Sequence, residues 1–471
     1  MLAVTAVGAF MAFLDVTIVN IAFPSITHAF AGSSLAELSW VLNAYNVVLA
    51  ALLVPAGRLA DLLGRRRMFL AGLALFTASS AVCAAAPTAA VLIAARALQG
   101  AGAAVLIPTS VGLLLPAFPP AERATAVGLW SASAAVASAV GPPFGAALIH
   151  FGDWRLVFLV NLPIGLFAAA LTLRFLSESR DERHGAITDL LGIALVTAGV
   201  GLIALGIAQG RQWGWESTAV LASLGGGVAL TVLFVLRSLR HENPVIEIGL
   251  LRDRGFAAAN AATLVFGGAF YALLLCNVLY MTQVWHYSIM QAGFAMMPSS
   301  ITAALVAGPA GRLADRWGYR VVVIPGLVVY AVGVSLFWLR VGLRPEYLAV
   351  WLPATIVMGA GVGLAFPTLG AAAVSALPPA RFATGTAINS SARQIGAVLG
   401  IAVLVAILGS PAPRQALNAF DQGWTFIFLS ALAALPACAL ISTGAAARKP
   451  VVLSGQPASA DALAVQADEG L

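Results

Sequence analysis

The chain has 471 residues, 61% hydrophobic and 9% charged, with 25 Lys and Arg against 19 Asp and Glu. A water-soluble globule carries about 25% charged residues, so this composition excludes one and requires lipid as the solvent. Of the 25 cations only Lys449 is a lysine, and it lies in Ala-Arg-Lys-Pro, so a Walker P-loop for ATP is excluded. Nucleic acid is not the expected partner of the basic excess either.

Helices are the only spanners expected, because the apolar runs are continuous rather than alternating. Gly255 to Gly311 holds 57 residues without a formal charge, where one span needs about 20. Six spans are predicted first, near Leu2 to Phe23, Leu38 to Gly57, Met68 to Ala86, Ala89 to Leu115, Ala124 to Ile149 and Val157 to Phe175. Two follow near Asp189 to Ala208 and Ser217 to Leu236. The last six lie near Phe256 to Thr282, Gln291 to Gly311, Val321 to Leu339, Tyr347 to Pro367, Ala383 to Gly409 and Trp424 to Ser442. The break between the third and fourth rests on Pro87.

With the first end inside, 18 cations fall in inner segments and five in outer loops, which predicts that both ends are cytoplasmic. Eight tryptophans, among them Trp154, Trp285, Trp351 and Trp424, fall at the outer side and read as an interfacial belt. No small-residue cleavage site follows the first apolar run, so no signal peptide is expected. Cys83, Cys276 and Cys438 are far apart in apolar runs and read as buried small residues, and the five histidines are scattered, so no metal site is expected.

An internal repeat carries the most information. Gly57-Arg-Leu-Ala-Asp-Leu-Leu-Gly-Arg-Arg66 returns as Gly311-Arg-Leu-Ala-Asp-Arg-Trp-Gly-Tyr-Arg320, at an offset of 254. At an offset of 259, Gly100-Ala-Gly returns at Gly359, Pro108-Thr109 at Pro367-Thr368, and Pro119 to Thr125 at Pro378 to Thr384. Three echoes in one order imply two homologous bundles, the layout of secondary transporters. The expected division is 1–187 for the first six-helix bundle, 188–254 for an inserted helix pair, 255–443 for the second bundle and 444–471 for a disordered cytoplasmic tail. An even number of inserted helices keeps both copies of the Gly57 motif on the inner side.

On these residues the chain resembles the major facilitator superfamily, in particular its fourteen-helix drug:proton antiporters of the EmrB/QacA type, over roughly Leu2 to Ser442. Leu14 to Pro24 is similar to the family's first-helix signature, Gly57 to Arg66 to the motif after the second helix, and Arg96 to Gly102 to the fourth-helix motif. Gly128 and Gly141-Pro142-Pro-Phe-Gly145 resemble the antiporter motif, with Ala137 and Ala146 where that pattern usually has glycine. Trp154 to Pro163 and Arg393 to Gly396 are also similar to segments of the family. The resemblance implies an all-α membrane protein of fourteen helices, two six-helix bundles and an inserted pair, that exchanges protons for small molecules.

Asp15 is the one acid deep inside a predicted span. An ionised carboxylate there costs about 2.5–3.5 kcal/mol on insertion scales, so it needs a partner, water or a proton. It reads as the proton carrier, or as a fixed polar contact of the first helix. Arg96 reads as its electrostatic partner, functional or purely structural, with Gln99 one turn further on the same face. Gly57, Asp61, Gly64, Arg65 and Arg66, with Asp315 and Arg320 in the second copy, read as an inner-loop gate in which Asp61 faces a helix end of the other bundle, or as charges that set topology. Candidates for the cavity wall are Asn43, Asn46, Trp130, Asn260, Tyr271, Asn277, Tyr280, Asn389 and Arg393, each equally open to a packing role.

The expected function is proton-coupled export of hydrophobic compounds, cationic ones among them, by a monomer in the bacterial cell membrane, with protons as coupling ion and no cofactor. A dedicated exporter of one metabolite, antibiotic or lipid is the nearest rival, and a sensor or scaffold a remoter one. The loops are too short for a catalytic domain, so an enzyme is not expected.

Overall fold

The computed structural model describes residues 2–114, 118, 123–178, 189–241, 244–375, 377, 381–409 and 416–441. The expected tail at 444–471, the Pro119 to Thr125 echo up to residue 122, and the first boundary of the insertion lie outside the described residues. The first eight helices are α1 (Leu2–Ala29), α2 (Leu35–Leu38), α3 (Trp40–Leu63), α4 (Arg65–Ala85), α5 (Ala89–Leu114), α6 (Arg123–Phe151), α7 (Leu156–Leu159) and α8 (Asn161–Phe175). Then come α9 (Leu190–Trp213) and α10 (Thr218–Arg240). The rest are α11 (Arg254–Gln283), α12 (Ile289–Trp317), α13 (Tyr319–Arg340), α14 (Leu352–Ser375), α15 (Phe382–Leu408), α16 (Ala416–Ala433) and α17 (Leu435–Ala439).

Among the described residues, thirteen helical segments are long and apolar enough to cross a membrane. The 29-residue α6 occupies the place of the remaining expected span. The helices are apolar on nearly all sides because one face meets protein and the other lipid tails. Polar side chains mark their starts: Asp189 and Asp253 accept from the N–H of Gly192 and Phe256, and Ser288 forms a capping box with Gln291.

The repeat seen in the sequence is a repeat of contacts. Gly100 of α5 lies against α3, where an added Cβ would stand 2.5 Å from the Tyr45 carbonyl; Gly359 of α14 lies the same way on α12, 2.3 Å from that of Ser299. Gly102 then meets the backbone of Phe76 in α4, and Gly361 that of Tyr330 in α13. Small residues permit this approach where hydrophobic driving force between helices is weak. In the first bundle α1 packs on α6 and α5 on both α3 and α4; in the second α11 packs on α15 and α14 on both α12 and α13. Between bundles the main seams are α6 with α12 and α3 with α15. The inserted α9 packs on α3 and α15 together, and α10 lies outside it.

The structure corrects three readings. The segments from Gly57 to Leu63 and from Gly311 to Trp317 are helix, not loop, because neither a proline nor a second glycine stands in them; the turn comes at Gly64 and Gly318, with φ of 109° and 94°. α16 starts at Ala416 rather than Trp424, which places Asp421 inside a helix apolar enough to cross the membrane. Four of the eight tryptophans are not a lipid-facing belt. Trp154, Trp285, Trp351 and Trp424 are buried, the last three with Tyr280, Phe337 and Phe420 in one aromatic cluster.

Candidate functional site

The polar centre of the first bundle is built by five helices. Asp15 of α1 is fully buried, and so are Arg96 and Gln99 of α5, Ser80 of α4, Tyr45 of α3 and Asn161 of α8. Arg96 Nη1 donates to Asp15 Oδ2 and, at 2.6 Å, to Gln99 Oε1. Gln99 Nε2 donates to Asp15 Oδ1 at 2.7 Å and to Ser80 Oγ at 2.8 Å. Asn161 Nδ2 reaches the same two oxygens at 3.4 and 3.3 Å. Arg96 Nε donates to the Val41 carbonyl at 2.9 Å, and its guanidinium carbon stands 4.3 Å from the centre of the Tyr45 ring.

The helical rise explains the convergence. Arg96 and Gln99 are three residues apart, hence on one face, and both reach the carboxylate of Asp15. The charges cancel as a pair, and nearly every remaining polar atom is satisfied, which is the condition for keeping ions out of water. If Asp15 took up a proton, Arg96 would lose its counter-charge and keep only Gln99, the Val41 carbonyl and the Tyr45 ring as partners. Tyr45, Ser80 and Asn161 were missed as site residues by the sequence reading. Asn161 carried a signal, because it lies in the Trp154 to Pro163 segment that resembles the family.

Gly141 and Gly145 of α6 sit beside this network. An added Cβ at Gly141 would stand 2.0 Å from Thr17 Oγ1, and at Gly145 2.5 Å from Ile18, so α6 lies directly on the α1 turn that follows Asp15. The Pro142 carbonyl meets Gly293 of α12, which joins α6 to the second bundle. For Gly128 only the helical backbone is described.

At the turn between α3 and α4 Asp61 pairs within its own bundle. Arg65 binds it at 2.7 Å and also donates to the Gly112 carbonyl of α5 at 3.1 Å. The cross-bundle contact expected of Asp61 is therefore not made in this structure. Arg66 donates to the Leu173 carbonyl, and Glu178 caps the start of α4 at the backbone N–H groups of Arg66 and Arg67, next to Gly64. Asp315 and Arg320 are exposed, and Tyr319 stands where Arg65 stands in the first copy, so the second motif lacks this clasp. A contact between bundles is made instead by Glu247 of the inserted segment. Its two oxygens bind Arg58, at the end of α3, at 3.1 Å and Arg381, just before α15, at 2.9 Å. The sequence reading missed Glu247 altogether, because its partners lie 189 and 134 residues away.

The cavity-wall candidates divide. Asn277 accepts from Trp424 at 3.0 Å and Tyr280 donates to the Gly342 carbonyl at 2.7 Å, which ties both to the aromatic cluster. Asn389 bridges Asn260 and Thr263 inside the second bundle, and Trp130 donates to Ser110 inside the first. Asn43 and Asn46 lie on α3 and Arg393 on α15, the two helices of one seam, and Tyr271 lies on α11; both amide atoms of Asn43, Asn46 Oδ1 and Arg393 Nε are buried without a hydrogen-bond partner.

Two bundles of membrane-length helices with a buried ion pair at the centre of the first are the architecture of a polytopic membrane transporter. The chain belongs to the Major Facilitator Superfamily, whose profile matches residues 5–251 and 259–465. It is 36% identical over 407 residues to the multidrug resistance protein Stp of Mycobacterium tuberculosis, covering 86% of this chain and 75% of that one. It is 33% identical over 428 residues to the methylenomycin A resistance protein of Streptomyces coelicolor, with 90% and 87% covered. It is 35% identical over 411 residues to a cephamycin export protein of Amycolatopsis lactamdurans, with 85% and 83% covered. Among solved structures, a bacterial homolog to the human lysosomal transporter Spinster matches with a TM-score of 0.65 at 15% identity, over 93% of this chain and 95% of that one, and it shares the fold. The family and fold are those of transporters, not enzymes.

Proposed function

We propose that the chain is a proton-coupled exporter of hydrophobic small molecules, an antiporter that works by alternating access in the cell membrane with both ends cytoplasmic. The observation that carries this reading is the buried Asp15, Arg96 and Gln99 network beside the glycine contact of α6 with α1. A proton arriving at Asp15 removes one member of a buried charge pair, and the α1–α6 contact is where that change would be felt by the helix that also touches α12. Each inward charge is worth about 2.3 kcal/mol per 100 mV, enough for a useful outward gradient. Gly64, Asp61, Arg65 and Arg66 hold the inner turn of the first bundle, and Glu247 clasps the two bundles in the state seen here.

The similarity to relatives named for multidrug resistance favours broad substrate range, and the similarity to relatives named for methylenomycin A and cephamycin favours export of one compound as the second reading. Purified protein in liposomes, given an imposed pH gradient and a panel of hydrophobic dyes, tests the proposal. Gradient-dependent dye movement that disappears with a protonophore is expected. A sensor or scaffold would move none.

A further inference from the structure

Arg393 stands in the middle of α15, eleven residues from one end and fifteen from the other, about 16 and 22 Å along the axis. Its backbone is fixed against α11, where an added Cβ at Gly267 would lie 2.9 Å from the Arg393 carbonyl. The side chain crosses the seam: its guanidinium carbon is 5.9 Å from the ring centre of Phe13 in α1 of the other bundle. Unlike Arg96, it makes no ion pair among the described residues, and its Nε is buried without a hydrogen-bond partner. Asp15, two residues after Phe13, is already occupied by Arg96 and does not compensate this charge.

Further unpaired polar atoms lie at the same depth. Ser391 donates to the Ala50 carbonyl at 2.8 Å, which sets the antiparallel register of α15 on α3. One turn further along each helix come Gln394 and Asn46, and another turn along α3 is Asn43. All three are more than nine-tenths buried, and Gln394 Oε1, Asn46 Oδ1 and both amide atoms of Asn43 lack partners. Buried polar atoms in native proteins are paired by protein, water or ligand, and an arginine in a membrane interior faces a partner or a water-filled path. A planar guanidinium with free donors, an aromatic ring beside it and neighbouring amides is the donor set for an oxyanion attached to an apolar body.

We propose that the transported compound is a hydrophobic organic anion, an apolar body bearing a carboxylate, and that Arg393 receives the carboxylate at the seam between the bundles. This rests on the export reading above and narrows its substrate, since a cation would meet an uncompensated positive charge at that point. It also adds to the driving force. With one proton entering as one anion leaves, two charges move down an inside-negative potential in each cycle.

The test uses full-length protein in liposomes and three probes on one ring system: a fluorescent aromatic carboxylic acid, its methyl ester and an amine analogue that is cationic at neutral pH. The acid is expected to be carried with a KM about tenfold below that of the ester, and its steady-state gradient to follow an imposed potential as two charges rather than one. Arg393→Gln is expected to bring the acid-to-ester ratio near unity, and Arg393→Lys to restore part of it. Should Arg393→Gln fold poorly, binding of acid against ester to the natural protein, read by tryptophan fluorescence, decides: equal affinities overturn the proposal. Transport without acid preference, or with a preference for the amine, overturns it and leaves the export reading standing. Movement of none of the three under an imposed gradient overturns both.

Discussion

Asp15 and Arg96 form one buried ion pair, and the proposed mechanism rests on it. Removing one partner of a buried ion pair strands the other and costs about 3–5 kcal/mol, whereas removing both is far milder. Asp15→Asn is therefore expected to lower the thermal stability of the detergent-solubilised protein more than Asp15→Asn combined with Arg96→Gln does, while both abolish proton-driven export. A double variant less stable than the single one would show that the pair is not the unit described here. The sequence displayed this pair plainly, because an acid and an arginine inside apolar runs are conspicuous. It hid Ser80, Asn161 and Tyr45, whose polar atoms are ordinary in composition and become part of the site only when five helices converge. It hid the isolation of Arg393 for the same reason: that a charge lacks a partner is a fact of three dimensions.

Helix contacts give predictions of their own. Gly141→Val would drive a side chain into Thr17 and is expected to cost about 1–3 kcal/mol, as overpacking does, and to impair transport. Gly308→Ala, with open space around it, is expected to be neutral or slightly stabilising in the same melting experiment. Asp189 caps α9 and binds Arg237 of α10 at 2.7 Å. Burial alone would raise its pKa from the ordinary 3.8; the Gly192 N–H bond and the bond and charge of Arg237 outweigh that and hold it lower. A depressed folded pKa stabilises fully above the unfolded value and loses its effect as pH falls through the folded one. The inserted pair is accordingly expected to stay tied across neutral pH and to loosen only below about pH 4, read by amide exchange in the first turn of α9 and the last turn of α10. Asp189→Asn is expected to show at pH 7 the exchange that the natural protein shows in acid. Spans and the turn at Pro87 were legible from apolar runs and breakers. The C-terminal ends of α3 and α12 were not, because the Gly57 and Gly311 segments carry charges yet continue as helix until Gly64 and Gly318.

For the molecule as a whole, the inserted segment is a strap across the α3 and α15 seam. Arg211, near the C-terminal end of α9, donates to the Ile407 carbonyl of α15 at 3.0 Å, and Glu247 joins Arg58 to Arg381 at the opposite end of the seam. Two half-exposed ion pairs are worth together about 1 kcal/mol, roughly fivefold in a conformational equilibrium. Glu247→Gln is expected to shift the protein away from the state seen here by about that factor, read as the distance distribution between spin labels on the C-terminal end of α3 and the N-terminal end of α15. An unchanged distribution would remove Glu247 from the gate. The two-fold repeat and the even-numbered insertion could be read from spacing and loop charge, whereas the strap could not, since it joins three segments far apart in the chain. The central claim is that the buried Asp15 network exchanges a proton as the bundles alternate. Proton release on substrate addition to purified protein in weakly buffered solution tests it most directly. The account predicts about one proton released per substrate bound by the natural protein and none by Asp15→Asn; equal release from both would contradict it.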